Sequence, residues 1–250
     1  MSKVDLIKIL ERFDLFNVLS DYQKARLAAE SALTLVAAKS NLSALFDTSQ
    51  YAYFVVDGVL ALRAHDRRET PTILDLYRAA QFADVSDLIS SRPEDYNIIA
   101  AKTTTVLFIS KSELAKLMST NLAFNKLIVE MLAKQAKSLM ARHQARGTLS
   151  LADQIKNYVI DNSNLVKERR VYKPDVDYSI VCLLLGCTRA TASRTIQFLV
   201  AKGFLKKEGK SLVLADNLKY GTMVTNIYGR ESSFANKKKD KSPIRPTKPK

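Results

Sequence analysis

Read for apolar spacing alone, the chain changes period twice. Residues 3–38 carry Leu, Ala and charged side chains at helical intervals, and Ser20 followed by Asp21 and Gln23 marks a helix start, which predicts two short helices. From Leu42 the pattern shifts to short runs rich in Tyr, Phe, Val and Ile at 51–56, 59–63, 72–77, 98–101 and 104–109, the mark of strands. Asp57-Gly58 between the first two runs signals a tight turn, so a small antiparallel sheet or barrel is expected. After Ser110 the helical period returns. Residues 111–118 predict a short helix, and Asn121 caps a longer one with Leu122, Leu127, Ile128, Met131, Leu132, Leu139 and Met140 on its apolar face. That face extends about six turns, longer than a small sheet domain needs to cover one side. Dimerisation is the natural use of the surplus, packing within the domain the alternative. Gly147 interrupts the helix, and Thr148 or Ser150 starts another through Val159; the domain boundary is placed here.

The densest local signals come next, between Asp177 and Asp216. Ile180, Val181, Leu183 and Leu184 belong to a short helix that Gly186 stops, and Thr188 caps a second with Ala192, Ile196, Leu199 and Val200 as its apolar members. Two amphipathic helices joined by a short turn with a glycine form a helix-turn-helix, whose second helix enters the DNA major groove by its N-terminal residues. The polar face of that helix presents Thr188, Arg189, Thr191, Ser193, Arg194 and Gln197, without one acidic residue. Arginine can read guanine through a two-pronged pair, while hydroxyls and amides reach phosphates or other base edges. Lys202-Gly203 ends the helix, and residues 204–207 and 211–214 flank Glu208-Gly209-Lys210 as a hairpin, the wing. Its Lys206, Lys207 and Lys210 suit phosphate contact. A winged helix used only for protein contact is the bland alternative.

Charge agrees with this reading without deciding it. The chain has 39 basic and 25 acidic residues, a net +14, which favours a polyanion such as nucleic acid or an acidic membrane surface. Residues 236–250 hold seven basic side chains against Asp240, so 7 − 1 = 6 of those charges lie in one short segment. From Glu231 onward the sequence has three of the six prolines and no apolar period, which predicts a disordered tail that either adds non-specific DNA affinity or merely solubilises. No stretch approaches the roughly 20 apolar residues of a membrane span, and the N-terminus reads as an amphipathic helix rather than a signal peptide, so a cytoplasmic, nucleoid location is expected. Cys182 and Cys187 read as buried structural thiols.

The segment from Gly186 to Asp216 resembles the DNA-binding end of the cyclic-AMP receptor protein and FNR (Crp/Fnr) superfamily of transcription regulators. Gly186, Cys187, Thr188, Arg189, Thr191 and Arg194 fall on its motif, and the order of elements agrees over nearly the whole chain. The resemblance implies an α+β protein: an N-terminal cyclic-nucleotide-binding-like β-roll (jelly roll), a long dimerisation helix and a C-terminal winged helix-turn-helix. The corresponding domains are 1–120, 121–146, 147–230 and the tail 231–250. It further implies a homodimer that reads a palindromic operator in double-stranded DNA and meets RNA polymerase, with Leu122, Ile128, Met131, Leu132 and Leu139 at the dimer seam and Arg189 and Arg194 as readers. Many relatives have glutamate after the first arginine where this chain has Ala190, so its operator should differ.

The same resemblance locates a degenerate effector pocket. Relatives that bind cyclic nucleotides use Phe-Gly-Glu and, about ten residues on, Arg-Ser or Arg-Thr. Here Phe82 is kept, Ala83 replaces the glycine, Asp84 the glutamate, and Tyr96-Asn97 the arginine pair; Arg92 comes four residues too early, before Pro93. Control by cyclic AMP is therefore not expected. FNR-like iron-sulfur sensing needs an N-terminal cysteine cluster that the chain lacks, His65 and His143 are isolated, and no catalytic constellation stands out, so no metal, cofactor or enzymatic activity is expected. The expected function is sequence-specific regulation by a homodimer that is ligand-independent or answers an unknown ligand, and is not controlled by cyclic AMP. A regulator with a different small-molecule effector and a low-specificity architectural DNA-binding protein are the alternatives.

Overall fold

The computed structural model describes residues 3–46, 49–65, 71–90 and 96–215; Arg92 and the basic tail lie outside them. Helices α1 (Lys3–Leu10) and α2 (Asp21–Ala29) open the chain. Ser20 and Gln23 close a reciprocal capping box on α2, the start that the sequence marked. Strand β1 (Ser31–Val36) and the short helix α3 (Leu42–Leu45) lead to β2 (Tyr51–Asp57), β3 (Val59–His65), β4 (Pro71–Arg78), β5 (Gln81–Ala83), β6 (Tyr96–Ala100) and β7 (Thr104–Ser110). Then come α4 (Lys111–Thr120), α5 (Leu122–Thr148), α6 (Leu151–Asp161), β8 (Asn164–Val166), β9 (Arg169–Tyr172), α7 (Tyr178–Leu185), α8 (Arg189–Ala201), β10 (Leu205–Glu208) and β11 (Ser211–Leu214).

The first seven strands form two antiparallel sheets, β1-β7-β2-β5 and β4-β3-β6. Side-chain alternation sorts their residues into three apolar layers. Tyr53, Val55, Val106 and Phe108 of the first sheet meet Leu60, Leu62, Tyr77 and Ile98 of the second in the roll's interior. Phe54, Val56, Phe82 and Leu107 face the other way, against Leu10, Phe16, Leu27, Phe124 and Ile128 of the surrounding helical layer. Val59, Ala61, Ile73 and Ile99 on the outer face of the second sheet share a cluster with Ala145, Tyr158, Val181, Leu184 and Leu199. Central strands buried on both faces explain why 52–56 is a continuous apolar run.

Four features depart from the sequence reading. Residues 31–36, expected to be helical, form β1, because pairing with β7 from Ser31↔Ile109 to Val36↔Thr104 covers that strand's edge and overrides local Leu and Ala preference. Asp57-Gly58 joins no hairpin: β2 and β3 lie in different sheets, and Gly58, at φ 103°, turns the corner between them. A Cβ there would sit 2.5 Å from Thr104 Oγ1. Gly147 does not end α5, which continues to Thr148; Ser150 then caps α6 by accepting from the Asp153 N–H. Strands β8 and β9 were unanticipated; they extend the wing into a four-stranded sheet, β10-β11-β9-β8.

Candidate nucleic-acid interface

Asp177 accepts from the Ser179 N–H at 2.7 Å to start α7, and the Ser179 hydroxyl, together with that N–H, holds its carboxyl below the usual carboxylate range. Gly186, left-handed at φ 68° and ψ 34°, stops the helix. Thr188 then accepts from the Thr191 N–H at 3.1 Å and caps α8. These local bonds make the turn short and its exit angle fixed. Ala192 and Leu199 of α8 are buried against α6 and α7, with Ile196 beside them, which leaves the opposite face in solvent. Val200, expected inward, is 36% exposed: it sits just past the inward row at 192, 196 and 199, toward the solvent side.

Arg189, Ser193 and Gln197 follow one another at four-residue intervals, with Arg194 beside them, and all are exposed together with Thr188 and Thr191. Neither arginine makes a salt bridge among the described residues, and α8 has no acidic side chain anywhere. The N-terminal dipole of α8 and the Arg194 guanidinium therefore add positive potential at this face, where Arg189 also feels the nearby Asp177 carboxylate. Thr191 Oγ1 lies 2.9 Å from Thr188 Oγ1, so this pair of hydroxyls is held in place by the cap. The wing turns at Gly209 and Lys210 with Glu208 opposite Ser211. Lys207 and Lys210 are exposed. Lys206, also exposed, shares Glu208 with Arg169, at 3.5 Å and 3.1 Å. In solvent such a pair contributes little and yields easily to phosphate.

The residues expected at a dimer seam separate into two groups. Leu122 and Leu139 are exposed, whereas Met131 and Leu132 lean on the helical-layer core and Ile128 is wholly buried within its own chain, out of reach of any partner. Val129, 57% exposed, and Met140, 72% exposed, are further apolar side chains on the solvent side of α5; Val129 was not among the expected seam residues. Leu122, Val129 and Ala136 recur every seven residues, and Leu132 and Leu139 do the same one step across. The apolar stripe has the spacing of a coiled-coil seam.

Where the resemblance places an effector pocket, the side chains named for it pack or hydrogen-bond within the chain. Phe82 stacks on Phe54 with ring centroids 4.3 Å apart, in the helical layer rather than the roll's interior. Asp84 has a left-handed backbone and is buried, accepting from the Ser86 hydroxyl. Asn97 accepts from Asn41 at 3.4 Å, and the Ile98 N–H donates to Ser43 at 3.0 Å, so α3 closes over β6. Tyr96 packs beside the interior, where Phe46 and Tyr53 both contact the Phe108 ring, at 4.5 Å and 5.1 Å. The structure thus brings α8 and the wing together as the sequence anticipated, and places aromatic and amide groups where the sequence put a degenerate pocket.

The chain matches no family model and no curated protein. Its fold is similar to that of many solved proteins. One is the global regulator CLP of Xanthomonas campestris, described as responsive to c-di-GMP, at TM-score 0.61 and 20% identity, covering 78% of this chain and 99% of that one. A variant of CooA from Carboxydothermus hydrogenoformans gives TM-score 0.65 at 16% identity over 85% of this chain and 92% of that one. TTHA1359 of Thermus thermophilus, a transcriptional regulator of the CRP/FNR family, gives 0.55 at 16% over 74% and 94%. At these identities the likeness fixes the β-roll, long helix and winged helix-turn-helix architecture. No helix among the described residues is long and apolar enough to cross a membrane.

Proposed function

We propose that the chain is a transcription regulator of the Crp/Fnr type that binds double-stranded DNA sequence-specifically as a homodimer, without cyclic AMP. The observation that carries the reading is the solvent face of α8: Thr188, Arg189, Ser193, Arg194 and Gln197 at groove-reading spacing, acid-free, behind a fixed turn and beside a lysine-bearing wing. Arg189 and Arg194 read base edges or hold phosphates, and Lys206, Lys207 and Lys210 supply sequence-independent affinity. Leu122, Val129, Leu139 and Met140 pair with the same stripe of a second copy, which sets the two α8 helices about 34 Å apart, one turn of DNA. Independence from cyclic AMP is supported by the sequence of β6, where Tyr96 and Asn97 stand in place of the arginine pair with which related sensors hold the cyclic phosphate. RNA polymerase is a partner by family analogy.

Selection of duplexes from a random pool, followed by footprinting of the winners, tests the reading. A palindrome protected over two half-sites is expected. Protection without sequence enrichment would instead make the chain an architectural DNA-binding protein.

A further inference from the structure

Strand β4 links three parts of the molecule. Asp75 pairs with Arg142 of α5 at 2.8 Å, and Tyr77 accepts from Gln135 of α5 at 3.3 Å. Next in line, Arg78 Nε donates to Asp175 Oδ2 at 2.7 Å, a bond between residues 97 apart in sequence, with both side chains largely out of solvent. Asp175 stands two residues before the Asp177 cap, so the roll holds the start of α7. The other end of α7 is held by α5, where Arg146 donates to the Leu184 carbonyl at 2.7 Å. With both ends fixed and the turn at Gly186 short, the direction of α8 follows.

The apolar cluster between the roll and α6–α8 supplies adhesion, which is non-directional and tolerates sliding. A partly buried ion pair tolerates less, because moving either partner leaves a poorly solvated charge without compensation. Burial alone would lower the Arg78 pKa, but the charge of Asp175 and the hydrogen bonds to Asp175 and Tyr158 outweigh it and hold the guanidinium above its ordinary value. Burial pushes the hydroxyls of Tyr158 and Tyr172 up, so both remain neutral beside the pair.

We propose that Arg78 is a positioning residue for DNA reading: through Asp175 it sets the angle at which the roll carries α8, and so the half-site separation that a dimer accepts. The proposal rests on the function argued above. The leverage is adequate, since α8 is about 20 Å long and a tilt of about 10° moves its far end by about 3 Å, close to the rise of one base pair.

The test compares the full chain with Arg78→Met/Asp175→Asn, which removes both charges so that neither is left buried alone, and with Arg78→Lys. Affinity is measured on the selected palindrome, on duplexes with its half-sites moved one or two base pairs closer or farther, and on a duplex with one half-site, alongside a thermal melt. The wild-type chain should prefer one separation. The double variant should lose at least about tenfold there while staying within about twofold on the single half-site and on the shifted duplexes, which flattens the profile, and Arg78→Lys should fall between. An unchanged peak, or an equal loss on every duplex, single half-site included, would overturn the proposal. A wild-type chain that selects no duplex at all would overturn the functional reading itself, and the positioning role with it.

Discussion

The backbone N–H of Cys187 donates to the carbonyl of Cys182 at 3.0 Å, and the Gly186 N–H between them donates to Leu183 at 3.3 Å. This double closure is the Schellman end of α7, with glycine at its left-handed position and the two cysteines as its side-chain contact. Burial pushes the Cys182 thiol up to about 11 and raises that of Cys187, so both stay protonated and act as packing groups. The closure recurs at the end of α8, where Phe204 donates to Leu199 at 2.9 Å and Gly203 to Val200 at 3.0 Å. Each helix of the helix-turn-helix therefore ends in the same defined backbone closure.

Gly186 should tolerate substitution poorly for backbone reasons alone. An added Cβ meets nothing within 4 Å, so the cost of Gly186→Ala is that of a left-handed non-glycine residue, about 1 to 2 kcal/mol. Denaturant titration should give this loss for alanine and a smaller one for asparagine, which adopts that conformation more readily. Equal stability of Gly186→Ala and the wild-type chain would contradict the assignment.

Arg189→Ala and Arg194→Ala should each weaken binding to the selected palindrome by about 1 to 3 kcal/mol while leaving the melting temperature in place, because both side chains are exposed and make no salt bridge among the described residues. Gel-shift titrations and thermal melts read the two effects separately. Unchanged DNA affinity in both variants would remove the arginines from the interface.

A charge placed on the exposed stripe of α5 should separate the dimer without unfolding its subunits. Val129→Glu or Met140→Glu introduces a like charge opposite its symmetry mate at a position that is solvent-exposed in the single chain. Sedimentation should find wild-type dimers and variant monomers of about equal helicity. A monomeric wild-type chain, or dimers of both variants, would rule out this seam.

Calorimetry with cyclic AMP and cyclic GMP should detect no binding at micromolar nucleotide, and neither should alter DNA affinity. A ligand shifts a conformational equilibrium only by its differential affinity for the two states, so one that scarcely binds cannot be the switch. Micromolar binding with a large gain in DNA affinity would contradict this and point to Arg92 as the phosphate partner.

What the sequence disclosed was local. The caps at Ser20, Asn121, Ser150 and Thr188, the stop at Gly186 and the hairpin at Gly209 depend on neighbours a few residues away, and each lies where its residue type predicts. Hidden features had no local mark. The β8–β9 turn takes left-handed backbone at Lys167 and Glu168, φ 47° and 64°, instead of the usual Asn-Gly, so nothing announced a hairpin. Gly58 signalled a turn, but only the pairing of distant strands decides that it is a corner between sheets. Ile128 and Val129 are adjacent apolar residues on one helix, and only the packed helical layer separates the buried one from the exposed one. The Arg78–Asp175 bond joins two ordinary charged positions 97 residues apart.

The most direct measurement is the ratio of affinities for the selected palindrome and for a scrambled duplex of the same length, taken at physiological salt with no cyclic nucleotide present. A sequence-reading homodimer predicts a ratio of at least about 1,000, with one dimer bound per palindrome. Affinities within about threefold of each other would contradict it, since phosphate contact alone, without base reading, then accounts for the binding.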